Sequence, residues 1–124
     1  MNKSWLLTLF SVLLLQVSCS HTTILPAVFV KAEPAVDSVL KRHPRTLRVY
    51  LTALPDISNS TLHLFGDQGE VSLSRFHTMG ADDLMIEIDD HPLPNGVYRV
   101  EWTAVVEGET QTFRGQYQFT VAVD

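Results

Sequence analysis

Three short stretches of this sequence carry side chains that could bind a metal ion. In the first, "FHTMG", His77 and Met79 stand two residues apart. Imidazole nitrogen and thioether sulfur suit a soft ion such as Cu(I), and on a strand the two side chains would share a face. The alternative interpretation is an exposed loop pair, or a methionine that belongs to the core.

The second stretch contains two carboxylates and no imidazole. Glu107 and Glu109 flank a glycine in "VVEGETQTFRG". Carboxylates favour hard cations such as Ca²⁺, but two acidic residues around a glycine are also typical of an ordinary hairpin tip. The remaining histidines of the domain, His43, His63 and His91, are interpreted as solvent-facing or hydrogen-bonded rather than as ligands.

The third stretch is the N-terminus, whose chemistry depends on processing. Residues 1–20 have the layout of a signal peptide, with one positive charge at Lys3, an apolar run from Trp5 to Leu15, and small residues after it. The apolar run is too short to span a bilayer as a stable helix. The sequence therefore predicts export to the periplasm and removal of this leader.

Two processing routes remain open. Cleavage after Ser20, with Ser18 as the other small residue, would leave His21 first in a soluble chain, with a free amine beside its imidazole. An amine and an imidazole chelate Cu(II) well, although His21 could equally be a solvated residue of a disordered tail. Alternatively, Cys19 lies in the lipobox-like "LQVSC", in which Gln16 is unusual, and would carry a lipid anchor. With Cys19 as the lipidated first residue, His21 would have no free amine to chelate Cu(II). The lipid would then attach the chain to the membrane.

Composition narrows the functional classes. The 124 residues make one domain, long enough to bury a core. Because the formal net charge is −5, the domain is a poor match for nucleic acid. The single cysteine has no partner for an internal disulfide. The sequence lacks the G-x-S-x-G, phosphate-loop and H-E-x-x-H motifs, so we do not predict an enzyme.

The elements that must position these side chains are β-strands. After residue 28 the chain consists of short runs rich in Val, Tyr, Phe and Thr, separated by turn signals such as "GDQG" and "HPLPNG". The one exception that we expect to this pattern of strands is a single helical turn in "AVDSVLKR". The seven predicted strands cover residues 28–31, 47–51, 61–65, 70–76, 84–88, 96–106 and 113–123.

Alternation of apolar and polar residues indicates which faces are buried. In "YRVEW" and "QYQFTV" every second residue is apolar, so these residues should point into one core. About seven short strands with frequent turns are typical of an all-β, immunoglobulin-like Greek-key β-sandwich. We assign the domain to residues 28–124, after a lead-in at 21–27 that could be ordered or not. The six residues expected in the core are Tyr98, Val100, Trp102, Tyr117, Phe119 and Val121.

Two long segments also resemble a known family. "AEPAVDSVLKRHPRTLRVYL" is similar to the opening of the CopC family of periplasmic copper-binding proteins, and "LPNGVYRVEWTAVVEGETQTFRGQYQFTV" is similar to its end. The resemblance covers about residues 28–124. It implies the same β-sandwich and a role in copper binding or trafficking in the cell envelope. A membrane copper transporter or another envelope protein would be the partner.

The resemblance also implies a Cu(II) site that this sequence does not retain. In the family, Cu(II) is held by the amine and imidazole of an initial histidine, an acidic residue, and the Asp and His of a late D-x-H. In this sequence the initial histidine would fall near Pro26 and the acidic residue near Ala53, and the late Asp and His correspond to Glu107 and Glu109. Copper would then need a relocated site, and His21 is the direct candidate for Cu(II).

A second hypothesis remains beside this one. β-Sandwiches support many functions, and the missing ligands would suit a metal-free immunoglobulin-like adaptor that binds another envelope protein through a strand edge or a loop surface.

Overall fold

The structure is a computed structural model that describes residues 22–124. The leader with its two processing routes, Cys19 and His21 lie outside the described residues. What was predicted for them remains a prediction.

Nine strands account for the regular structure of residues 22–124, in which there is no α-helix. A single turn of 3-10 helix lies at Ile57–Asn59. Accordingly, no helix in this range is long and apolar enough to cross a membrane. The strands are β1 (Phe29–Glu33), β2 (Val39–Leu40), β3 (Thr46–Leu51), β4 (Thr61–Gly66), β5 (Gly69–Val71), β6 (Leu73–His77), β7 (Asp83–Ile88), β8 (Gly96–Ala104) and β9 (Phe113–Val121).

The strands form two sheets. One has the order β1-β3-β7-β6 and the other the order β2-β9-β8-β4-β5. If the short strands β2 and β5 are left out, the two sheets are β1-β3-β7-β6 and β9-β8-β4. Numbered one to seven along the chain, the remaining strands then have the orders 1-2-5-4 and 7-6-3. That is the strand order of an immunoglobulin-like sandwich with Greek-key connections. The predicted fold is confirmed.

The core lies between the sheets, as the alternation predicted. Strands β8 and β9 pair along their full length, with Tyr98 opposite Phe119 and Val100 opposite Tyr117. All six residues expected in the core are buried, and Trp102 is 1% exposed. Their polar neighbours along both strands therefore point outward.

Two local expectations were wrong. The run at 70–76 is not one strand, because the chain crosses from one sheet to the other at Ser72: β5 pairs with β4, whereas β6 pairs with β7. The expected helical turn in "AVDSVLKR" contains the strand β2 instead, which pairs in parallel with β9. These two short pieces account for nine strands rather than seven.

The lead-in is ordered from residue 22 onward. Ile24 forms an antiparallel bridge with Gln116 on β9, with two backbone hydrogen bonds of 2.8 Å. The Gln116 side chain also donates a hydrogen bond from Nε2 to the Thr22 carbonyl at 3.0 Å. The segment that follows His21 is thus attached to the outer edge of β9.

Candidate metal centre

His77 and Met79 meet at the turn between β6 and β7. β6 ends at His77, so the contact is made by the turn and not, as expected, by strand spacing. The imidazole Nε2 lies 3.2 Å from the Met79 sulfur. Met79 is 57% exposed and His77 is half-buried. The structure therefore brings the two soft donors together at a place that solvent can reach.

The other nitrogen of His77 determines which atoms face each other. Nδ1 is hydrogen-bonded to the Arg75 carbonyl oxygen, and because a carbonyl can only accept, Nδ1 carries the proton. In the neutral ring Nε2 then presents a lone pair towards the Met79 sulfur, which is itself a weak acceptor. Two acceptors in contact need a proton or a cation between them. In histidines that bind a metal, the ring nitrogen that does not bind it usually donates its N–H to a carbonyl or a carboxylate, as Nδ1 of His77 does here.

A buried carboxylate holds this turn in place. Asp83, at the start of β7, is fully buried. Its Oδ1 accepts hydrogen bonds from the Thr78 hydroxyl at 2.8 Å and the Met79 backbone N–H at 3.0 Å. Its Oδ2 accepts one from Arg48 Nε at 2.6 Å. Asp83 thus fixes the residue whose sulfur faces His77.

The charge state of Asp83 follows from the same contacts. Burial raises the pKa of its carboxyl, but the hydrogen bonds from Thr78 and Met79 and the Arg48 guanidinium outweigh burial, so the pKa lies below its ordinary value. The carboxylate is therefore ionised at neutral pH.

A third soft donor lies across the strand. Met85 on β7 is the register partner of His77 on β6, and directly opposed residues project from the same face of a sheet. Met85 is half-buried. Met85 was not among the predicted ligands, although the alternation in "LMIEI", with Leu84, Ile86 and Ile88 on one face, would have assigned it to the opposite face.

The loop with Glu107 and Glu109 has a different character. It is a tight turn in which the Glu109 N–H donates to the Val106 carbonyl at 3.1 Å, and Gly108 has a φ of 85°. Both glutamates are exposed. Asp56, which lines the same surface depression, accepts hydrogen bonds from its own neighbours, Ser58 and Asn59, and these lower its pKa. The stretch is a hairpin tip, as its sequence predicted.

Residues 22–124 contain no group of three His, Cys, Asp or Glu side chains close enough to hold a metal ion by themselves.

The whole domain matches a known family. The CopC domain matches residues 29–122, which is most of the chain. The chain belongs to the CopC family. Its expected non-catalytic character agrees with this membership, because CopC proteins bind copper or confer copper resistance and are not enzymes.

Solved structures support this assignment. PcoC, a methionine-rich copper resistance protein from Escherichia coli, is 25% identical with a TM-score of 0.67, over 76% of this chain and 96% of PcoC. CopC from Methylosinus trichosporium OB3b shares the fold at 16% identity and a TM-score of 0.66, over 82% of this chain and 95% of that one. A search of curated proteins gave no match.

The remaining histidines of this CopC domain have ordinary surroundings or partners. His43 Nδ1 lies 2.8 Å from the Leu93 carbonyl oxygen, and His91 is exposed in the turn before β8. His63 is also exposed, but its Nδ1 lies 2.8 Å from Glu70 Oε1, an ion-pairing partner that the sequence did not reveal.

The hairpin tip gives the first testable prediction. We expect the double variant Glu107→Gln, Glu109→Gln to bind Cu(II) as the unmodified chain does, because exposed carboxylates without nitrogen donors are weak copper ligands. The measurement is a Cu(II) titration followed by visible absorption, on chains that begin at His21. Loss of a tight site in this variant would mean that the family's pocket still holds metal.

Proposed function

We propose that this CopC domain handles copper in the cell envelope through a relocated site, in which His77 and Met79 bind Cu(I). The observation that supports this most directly is the 3.2 Å contact between His77 Nε2 and the Met79 sulfur. Family membership and the likeness to a methionine-rich copper resistance protein favour copper over other soft ions. Met85, on the same face of the sheet, is the candidate third ligand.

The position of the site suits transfer of the metal. Met79 is the most exposed of the three donors and lies at the tip of a hairpin, so a partner could approach it without unfolding the sandwich. The partner in this proposal is a membrane copper transporter or another envelope protein. The chain acts after export, either released or anchored through Cys19.

The test is a Cu(I) competition titration against a chromophoric chelator under reducing conditions. Met79→Leu keeps the side-chain volume and removes the sulfur, and His77→Gln removes the imidazole. Since even supporting residues of metal sites change affinity by about 10- to 100-fold, each variant should lose at least tenfold in Cu(I) affinity. His91→Gln is the matched control, because it removes an exposed histidine elsewhere, and it should titrate like the unmodified chain.

Equal Cu(I) affinity in all four proteins would rule out this site. Absence of any Cu(I) binding in the unmodified chain would favour the metal-free adaptor instead.

A further inference from the structure

Strand β6 contains a β-bulge directly before His77. Ser74 is the register partner of Glu87 on β7 and His77 is that of Met85, so between these pairs two residues of β6 oppose one residue of β7. The first of the two is Arg75, whose φ of 59° lies in the left-handed region. Bulges are frequent next to functional sites, where they change the direction of a side chain.

The bulge decides which side chains of β6 face outward. Ser74 and His77 share the outer face with their partners on β7, whereas Phe76, between them, packs against the core. With strict alternation from Ser74, Phe76 would be exposed and His77 would point into the core. The extra residue therefore reverses the alternation and places the imidazole on the face that carries Met85.

The conformation of Arg75 is unusual for its residue type. Among the non-glycine residues of 22–124, φ is positive only at Asp37 and Arg75. Aspartate is enriched in this region, whereas a bulky residue such as arginine is an outlier. The Arg75 side chain does not explain it: the side chain is 76% exposed, and its Nε lies 3.5 Å from Glu87 Oε2, a surface pair of little energetic weight. Strained backbone of this kind is concentrated at functional sites.

The main chain of Arg75 also contacts the imidazole. Its carbonyl oxygen accepts the hydrogen bond from His77 Nδ1, which leaves Nε2 facing the Met79 sulfur 3.2 Å away. In a regular strand the carbonyl groups are used in the hydrogen bonds between strands. The extra residue of a bulge is left out of that ladder, so its carbonyl is available to the ring of His77.

We propose that Arg75 is a positioning residue of the Cu(I) site and acts through its main chain. The left-handed bulge places His77 on the outer face beside Met85, and the Arg75 carbonyl holds the Nδ1–H tautomer that leaves Nε2 for the metal. The guanidinium has no part in this. The inference rests on the proposed function, because it concerns the same donors, His77 and Met79.

Deletion of Arg75 separates positioning from folding. Because two residues of β6 oppose one of β7, removal of one leaves a regular ladder in which Ser74 and His77 keep their partners. Phe76 then keeps its place in the core, but the carbonyl that holds Nδ1 is lost. We expect a folded chain whose Cu(I) affinity, in competition with a chromophoric chelator, is at least tenfold weaker, the usual effect of losing the hydrogen-bond partner of a metal-binding histidine.

Two substitutions test the backbone conformation without shortening the chain. Arg75→Gly removes the side chain, but glycine adopts a positive φ readily, so Cu(I) affinity should be unchanged. Arg75→Val removes the same side chain, but a β-branched residue is disfavoured at this φ, and affinity should fall at least tenfold. Arg114→Val is the matched control, because Arg114 is an exposed residue of β9 in the other sheet, and it should titrate like the unmodified chain.

A second readout does not depend on copper. Nitrogen-15 spectra of the metal-free chain, in mildly alkaline solution where imidazole is neutral, report which ring nitrogen of His77 carries the proton. We expect Nδ1–H in the unmodified chain and in Arg75→Gly, and loss of this preference in Arg75→Val and in the deletion variant. A residue that merely stabilised the strand would change the unfolding midpoint and leave the tautomer as it is.

The outcomes separate this inference from the proposed function. If Arg75→Val and the deletion variant keep the Cu(I) affinity and the tautomer of the unmodified chain, or if Arg75→Gly weakens binding as much as Arg75→Val, the inference is overturned. If the deletion variant does not fold, the two substitutions decide. Should the unmodified chain bind no Cu(I), the proposed function fails, and the tautomer of His77 alone decides whether Arg75 positions the ring.

Discussion

Replacement of Trp102 by alanine should lower the free energy of unfolding by about 3–5 kcal/mol, the range for removal of a large aromatic side chain from a core. The indole is 1% exposed and stacks on Phe29 with ring centroids 6.3 Å apart. It also lies directly over Gly115, where an added Cβ would come within 2.1 Å of the ring. Since Gly115 has no side chain, it cannot fill the cavity left by alanine.

One feature of the indole reduces this loss. Its Nε1 has no hydrogen-bond partner within the described residues, and an unsatisfied buried donor costs about 1–3 kcal/mol. Trp102→Phe, which keeps an aromatic ring and removes that donor, should therefore cost less than half as much as Trp102→Ala.

The measurement is urea denaturation followed by circular dichroism, because Trp102, the tryptophan of the described residues, is itself a fluorophore. Gln118→Ala is the control: its side chain points outward from β9, and its effect should stay within about 0.5 kcal/mol. An unchanged unfolding midpoint for Trp102→Ala would contradict the assignment of this face to the core.

Replacement of Asp83 by alanine should cost about 3 kcal/mol and should also weaken Cu(I) binding. Removing one partner of a buried ion pair costs about 3–5 kcal/mol, but Arg48 is 25% exposed, so water can partly replace the lost contact. The Thr78 hydroxyl and the Met79 N–H lose their acceptor as well. Because the turn is then no longer fixed, the Met79 sulfur is no longer held against His77.

The stability that Asp83 contributes should depend on pH in a defined direction. Its pKa is lower in the folded chain than its ordinary value of 3.8. Its contribution is therefore complete above about pH 4, and is lost as the pH falls through the folded-state pKa. Denaturation of the unmodified chain and of Asp83→Ala at a series of pH values should show a difference that shrinks in acid. A difference independent of pH would mean that ionisation of Asp83 does not stabilise the turn.

Sequence reasoning succeeded where one periodicity governed a long element. The alternation around Tyr98 and Trp102 on β8, repeated on β9, identified the core face because a strand that is buried on one side allows one register. The prediction of strand boundaries failed where the sequence has no turn signal: nothing between Val71 and Leu73 marks the crossing between sheets. A two-residue strand such as β2 has too few side chains to show any alternation.

The candidate sites were predictable in part. The His77–Met79 pair was visible in the sequence as a two-residue spacing. The reason for the contact was not visible, because it depends on hydrogen bonds from the turn to Asp83. Met85 and Glu70 could not be joined to their histidines from the sequence, since each contact depends on the pairing or approach of separate strands. The departures at Glu107 and Glu109 needed a comparison with the family's motif, and no spacing within this chain reveals them.

The most direct test of the central claim, that Cu(I) is held away from the family's pocket by His77 and Met79, is X-ray absorption at the copper edge of the Cu(I)-loaded chain. We expect sulfur and imidazole nitrogen among the nearest scatterers, with the sulfur signal reduced in Met79→Leu. A first shell of nitrogen and oxygen without sulfur, unchanged in Met79→Leu, would contradict it.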